Sequence, residues 1–298
     1  MQSSTIAQVL AEATGPTLSF EFFPPRDDAE EATLWRTTAT LGRFGPDFMS
    51  VTYGANGSTR ERTLALTGRL AADRTGPLTV GHLTAVSQTR AEIVRAVEGY
   101  REAGIGNILA IRGDMPGGAQ QPWQRHPEGV ANATELVELV KAAGDFCVGV
   151  AAFPNPHQPG ADPALDAQIL ADKAAAGADF AVTQLFFDSR SYVELVDRVR
   201  ALGCQIPIIA GIMPLTGIRQ IERFESLTGA PLPADFVAEL RGVAQEPERV
   251  RALGIERAVR LCREVLEAGA PGLQFFTMNR ARITREVIAQ LSWGAQSR

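Results

Sequence analysis

Short runs of apolar, β-branched and aromatic residues recur along the chain, each followed by a loop and then by a stretch whose apolar residues repeat at helical spacing. The runs predict strands over 17–23, 48–53, 78–84, 107–112, 146–153, 180–186, 206–213 and 272–277. Between them, amphipathic stretches such as 92–103, 132–143, 166–176 and 192–202 predict helices, with Gly104, Gly144, Gly177 and Gly203 placed where a left-handed cap would end each one. Strands that read as near-continuous hydrophobic runs are buried on both faces, as in a parallel sheet wrapped by helices. Eight such units in a chain of 298 residues predict an α/β fold, a single (β/α)8 TIM barrel filling 1–298 with no regulatory domain. Two or three helical segments between Gly217 and Glu267 predict extra helices between strands seven and eight.

The competing architecture is an open doubly wound sheet. Against it, the first strand runs into Phe22-Phe23-Pro24-Pro25, where a dinucleotide-binding fold needs a glycine-rich turn. Gly54-Ala55-Asn56-Gly57 lacks the full spacing and reads as a loop and helix start. Composition excludes further classes. A net charge of −5 with 29 scattered Lys and Arg gives no footprint for a polyanion, so nucleic acid is not an expected partner. Cys147, Cys204 and Cys262 are too few for a disulfide framework or thiolate cluster and read as buried thiols. Residues 1–16 lack the basic start and apolar run of a signal peptide, and no apolar stretch approaches roughly 20 residues. A cytoplasmic protein, monomeric or homo-oligomeric, is expected.

In a TIM barrel the chemistry sits at the C-terminal strand ends. Those ends carry Glu21, Thr52 and Tyr53, His82 and Thr84, Arg112-Gly113-Asp114, His157, Thr183 and Gln184, and Asn279-Arg280. Glu21 stands between Phe20 and Phe22 on the first strand. A carboxyl buried there has a raised pKa and can serve as a general acid near neutral pH. The alternative is a structural ion pair with an arginine such as Arg112. His82 reads equally as a site residue or as a core histidine with both nitrogens satisfied. With three histidines and no metal-ligand spacing, metal catalysis is not expected. No serine occupies a nucleophile elbow. Arg112-Gly113-Asp114 reads as a pair of site residues and not as an adhesion tripeptide. Lyase or aldolase chemistry would want a strand-end lysine or a metal, whereas Lys141 and Lys173 lie in helical stretches.

The run Ser19-Phe20-Glu21-Phe22-Phe23-Pro24-Pro25-Arg26, with Ser50-Val51-Thr52-Tyr53-Gly54-Ala55 and Arg112-Gly113-Asp114, resembles the methylenetetrahydrofolate reductase family. Thr183-Gln184-Leu185-Phe186-Phe187-Asp188, Gly211-Ile212-Met213-Pro214 and Thr277-Met278-Asn279-Arg280 continue the match in order. The resemblance implies reduction of 5,10-methylenetetrahydrofolate to 5-methyltetrahydrofolate, with Glu21 protonating N10 to open the ring and hydride delivered to the iminium carbon. It implies Asp114 supporting the pterin and the developing cation, Gln184 and Gln220 on the folate, Phe224 packed on the flat ligands, and Arg280 at the glutamyl tail. Thr52 is likewise placed on the substrate.

The family's FAD shell would correspond to Thr52, His82, Arg112, Asp114, Ala152, His157, Asp166 and Lys173. Other positions depart from the family pattern. Asn132 and Phe153 replace tyrosines, Ile169 replaces an asparagine, and Asp172 stands where a basic residue adjoins the diphosphate. The 115–129 loop, with Trp123, Arg125 and His126, differs as well and could fill the site. Flavin is therefore expected to bind weakly or not at all, with NADH or NADPH reducing the folate directly. The alternatives are the same reaction through tightly bound FAD and a catalytically silent folate-binding barrel.

Overall fold

A computed structural model describes residues 4–52, 57–73, 75–115, 121–156, 162–220, 232–291 and 293. Its eight strands are β1 (Thr17–Phe22), β2 (Phe48–Val51), β3 (Leu78–Thr84), β4 (Asn107–Ile111), β5 (Cys147–Ala152), β6 (Phe180–Thr183), β7 (Ile208–Ile212) and β8 (Gly272–Phe276). All pair in parallel, in sequence order, and β1 closes on β8. The predicted TIM barrel is the fold found. Strand ends differ most at β6, which stops at Thr183, so Gln184 lies in the loop beyond it.

Side chains alternate across each strand, and in β1 the alternation separates two chemistries. Leu18, Phe20 and Phe22 pack with Leu34 and Leu41 of α2 (Asp28–Gly42) on the outside of the barrel. Thr17, Ser19 and Glu21 take the other face, towards the interior. β1 is buried on both faces, as expected of a strand in a helix-wrapped parallel barrel, and its interior face is polar.

The lower interior is sealed by a helix absent from the strand-by-strand reading. Residues Ile6–Glu12 form α1, started by a capping box in which the Thr5 side chain accepts from the Gln8 N–H and the Gln8 side chain accepts from the Thr5 N–H. Ile6 is fully buried against Phe48, Val80, Leu109, Cys147, Phe180, Val182 and Ile209, and its N–H donates to Asn107 Oδ1 at 3.0 Å. The Thr-x-x-Gln spacing was the available signal.

The connecting helices α3 (Gly57–Ala72), α4 (Arg90–Glu102), α5 (Ala133–Ala143), α6 (Pro163–Ala175) and α7 (Ser189–Ala201) alternate with the strands. Asp27, Thr89, Asn132, Asp162 and Asp188 cap their helices, each accepting a bond from a first-turn N–H. Of the four glycines expected as left-handed caps, Gly104, Gly177 and Gly203 have positive φ of 79°, 108° and 78°. Gly144 also has a positive φ, 155°, but with ψ −176° it leaves the helix extended and not left-handed helical. Cys147 and Cys262 are buried as expected, but Cys204 is only half-buried because it lies in the turn after α7.

Between β7 and β8 stand the predicted extra helices, α8 (Ala234–Gly242) and α9 (Pro247–Glu267), and α10 (Ala281–Gln290) follows β8. Leu232, Phe236, Leu240 and Val250 cover Leu185, Phe187, Met213 and Leu215 in a second apolar cluster beyond the ends of β6 and β7. Gly254 lets α9 approach that loop, since a Cβ there would lie 2.0 Å from the Leu215 carbonyl oxygen. Backbone cannot yield as a side chain can, so Gly254→Ala is expected to destabilise the fold by about 2 kcal/mol. A lowered urea midpoint would show it, and an unchanged midpoint would mean that α9 slides freely over the loop.

Candidate functional site

The polar interior residues gather near the C-terminal ends of β1, β2, β3 and β8. Glu21 is 6% exposed and accepts two bonds: Thr52 Oγ1 donates to Oε1 at 3.0 Å, and Gln274 Nε2 donates to Oε2 at 2.9 Å. His82 Nε2 faces Oε2 at 3.7 Å. Because β2 separates β1 from β3, Glu21 and His82 can meet only across the interior. Burial pushes the Glu21 carboxyl up to about 7, against the lowering effect of its bonds from Thr52 and Gln274. The raised pKa matches the sequence expectation, but its cause does not. Phe20 and Phe22 point outward, and the interior itself desolvates Glu21.

Glu21 has no arginine partner among the described residues. Burial pushes the Arg112 guanidinium down, against the opposing pull of Asp114, and it lies 5.7 Å from the Trp123 ring. His82 is not a satisfied core histidine either, for both ring nitrogens are buried without a hydrogen-bond partner. Burial pushes its imidazole down to about 3. Thr52, expected on the ligand, has its hydroxyl committed to Glu21.

Gln274 is the site residue that the strand-end reading missed. It sits mid-strand, fully enclosed, and its Oε1 accepts from the Ser19 hydroxyl at 3.4 Å. A glutamine inside the otherwise apolar run Gly272-Leu273-Gln274-Phe275-Phe276 was the signal.

The β1 and β8 ends are clamped above Glu21. Thr277 Oγ1 donates to the Glu21 carbonyl at 2.8 Å, while Asn279 both donates to the Phe23 carbonyl and accepts from its N–H, each at 2.9 Å. Met278 and Asn279 pay for this with positive φ of 50° and 55°, a conformation rare in a residue with a Cβ. Arg280 follows, exposed at the start of α10.

Beside this group, at the ends of β4, β5 and β6, lies a cavity of about 460 Å³. Arg112, Asp114, Asn132, Phe153, Asp166, Ile169, Asp172, Lys173 and Gln184 are among its lining, so it brings together expected flavin-shell positions and all four departures from them. The cavity is open, so the expectation that the altered loop fills it does not hold for the described residues. Trp123 lies against Arg112 instead, and Arg125 donates to the Gly129 carbonyl. His82 does not line the cavity, and neither does Glu21. Ala152 is buried in β5, with its carbonyl accepting from the Gln184 N–H at 2.7 Å. Gln220 is tied to the loop after β7, accepting from the Thr216 N–H at 3.1 Å. His157, Phe224 and Tyr53 lie outside the described residues.

A resident dinucleotide would need its diphosphate neutralised, and the lining offers two cations, Arg112 and Lys173, against the carboxylates of Asp114, Asp166 and Asp172. Lys173 is itself engaged. It is buried, donates to the Ala151 carbonyl at 3.0 Å, lies 5.8 Å from the Phe153 ring, and is pushed down to about 8 by burial despite Asp166. Asn132 is spent on capping α5. These residues do not fit a tightly held FAD diphosphate. No cluster of three or more metal-ligating side chains occurs among the described residues, and no helix there is long and apolar enough to cross a membrane.

A closed eight-stranded parallel barrel with a carboxyl buried at its strand ends defines a protein of the TIM-barrel class. Residues 5–292 match the family described as methylenetetrahydrofolate reductase, and the chain belongs to that family. It is 35% identical to the 5,10-methylenetetrahydrofolate reductases of Pectobacterium carotovorum and Escherichia coli, over 95% of this chain and 93% of theirs. It is also 34% identical to methylenetetrahydrofolate reductase 1 of Schizosaccharomyces pombe, over 92% of this chain but 46% of that one. Among solved structures, an uncharacterized Clostridium thermocellum protein that binds two copies of 5-methyl-5,6,7,8-tetrahydrofolic acid shares the fold at a TM-score of 0.66 and 13% identity, over 98% of this chain and 99% of that one.

Proposed function

We propose that the chain is an oxidoreductase that converts 5,10-methylenetetrahydrofolate to 5-methyltetrahydrofolate, taking hydride from NADH or NADPH. The observation that carries this reading is the Glu21 carboxyl, enclosed at the strand ends, where burial pushes it up to about 7. An acid so placed protonates N10. The N10–C bond then breaks, the methylene carbon becomes a 5-iminium cation, and hydride arriving at that carbon completes the reduction. Asp114, at the open end of β4, is suited to offset the cation's charge, and a carboxylate there acts more strongly as water is excluded. Gln184 and Gln220 are assigned to the pterin, Phe224 to its face, and Arg280 to the glutamyl carboxylate, where a guanidinium makes paired bonds.

The charge balance of the cavity supports direct hydride transfer from the nicotinamide without a resident flavin. A co-substrate that comes and goes needs only modest affinity, which a lining richer in carboxylates than in cations can supply. The open volume favours a second reading, the same reaction with FAD held in that cavity. Purified protein is expected to be colourless, to oxidise NADH with 5,10-methylenetetrahydrofolate at a rate unchanged by added FAD, and to give intersecting two-substrate plots. A flavin absorption band with ping-pong kinetics would establish the second reading instead. Failure to oxidise NADH or NADPH with this folate under any condition would overturn both.

A further inference from the structure

His82 is an anomaly for a buried side chain. Imidazole carries one donor and one acceptor when neutral, and a buried polar group almost always finds partners for them. Both nitrogens of His82 are enclosed and have none. Among the described residues, a group that can gain or lose a proton stands close by: Glu21, whose Oε2 lies 3.7 Å from Nε2, a gap that a small side-chain rotation would close. The other approaches to Glu21 are taken, with Thr52 on Oε1 and Gln274 on Oε2. The Gln274 amide nitrogen only donates, so at Oε2 it cannot receive a carboxyl proton, whereas Nε2 of His82 can.

We infer that Glu21 and His82 form one proton-sharing pair, in which His82 is a positioning residue that holds the acid's proton between Oε2 and Nε2. The inference rests on Glu21 being the acid of the proposed reaction. In the resting chain the pair holds one proton, on Oε2 pointing to Nε2 or on Nε2 pointing to Oε2, and is neutral overall either way. When that proton passes to the substrate nitrogen, an O–H or N–H bond breaks as the new N–H bond forms. The pair is left with one negative charge on the carboxylate. A proton from water restores it after product leaves.

The surroundings leave the pair to itself. Among the described residues, the one ion-pair contact of either Glu21 or His82 is with the other. From α4, Tyr100 donates its hydroxyl to the His82 carbonyl and not to the ring. On α3, Arg62 and Arg69 reach outward to Glu31 of α2. Just beyond β4, Arg112 is near Asp114. Among the described residues no other charge is paired with either group, and two groups coupled this closely titrate as a pair.

The test is a side-chain NMR titration of the unmodified protein labelled with ¹⁵N-histidine, without substrate, the His82 ring signals being assigned by their loss in His82→Gln. The expected result is a His82 nitrogen shift change that follows the Glu21 carboxyl ¹³C titration with the same midpoint, near pH 7, and that disappears in Glu21→Gln. Ring shifts that stay flat while Glu21 titrates would overturn the pairing, and so would a His82 titration unaffected by Glu21→Gln. Because no substrate is present, this outcome stands apart from whether the chain reduces a folate. In turnover, His82→Gln is expected to lower kcat about tenfold or more with KM within about twofold, and to move the alkaline limb of the pH profile down by about one pH unit, because the protonated acid loses the partner that shares its proton. A profile superimposable on the unmodified enzyme's would overturn it.

Discussion

Replacing Glu21 by glutamine is expected to lower turnover by about 10²- to 10⁴-fold, the range a positioned general acid contributes, while leaving the KM for the folate within a few-fold. The split follows from where Glu21 stands. It is nearly enclosed and held by Thr52 and Gln274, so a ligand could meet only a small part of it. Glutamine has nearly the same shape and keeps a carbonyl oxygen for one of those bonds, but it has no proton to give. A carboxyl with its midpoint near 7 also sets a pH dependence. The acid form is the active one, so kcat/KM should fall about tenfold per pH unit above roughly 7. Steady-state NADH oxidation across pH 6 to 9 measures both effects. Turnover of the variant within a few-fold of the unmodified enzyme would remove Glu21 from the acid role.

The barrel was legible because strand and helix periods alternate so regularly, but the meaning of individual strand residues was less so. A linear reading surrounds Glu21 with its sequence neighbours Phe20 and Phe22, and a β-strand turns those two to the opposite face. The groups that do surround it, Thr52, His82 and Gln274, come from three other strands, and the first two stood out only as polar strand ends. Gln274 did not stand out, since one glutamine amid phenylalanines looks like noise until closure of the barrel places it beside β1. The flavin question divides in the same way. The departures at Asn132, Phe153, Ile169 and Asp172 were visible in sequence, and the structure lines one cavity with all four. That the cavity stays open, and that Lys173 is turned onto the Ala151 carbonyl, depends on packing that no spacing encodes.

The same glutamine substitution is expected to stabilise the fold, and only at higher pH. Burial lifts the Glu21 carboxyl from 4.5 to about 7, so between these values the folded chain holds a proton that the unfolded chain has released. Stability falls with rising pH wherever the native state binds more protons, so the cost of Glu21 is absent below 4.5, grows across that window, and is complete above about 7. At 1.36 kcal/mol per pH unit it amounts to about 3 kcal/mol. Glutamine does not ionise and bears none of it. In urea unfolding, Glu21→Gln and the unmodified chain should be nearly equal at pH 4.5 to 5, with the variant more stable by up to about 3 kcal/mol at pH 8. Parallel stabilities over the whole range would mean an ordinary carboxylate with water access. A variant less stable at pH 8 than at pH 5, relative to the unmodified chain, would mean that Glu21 is held ionised by a cation in the folded state. The expected sign is that of an acid kept at the expense of the fold that buries it.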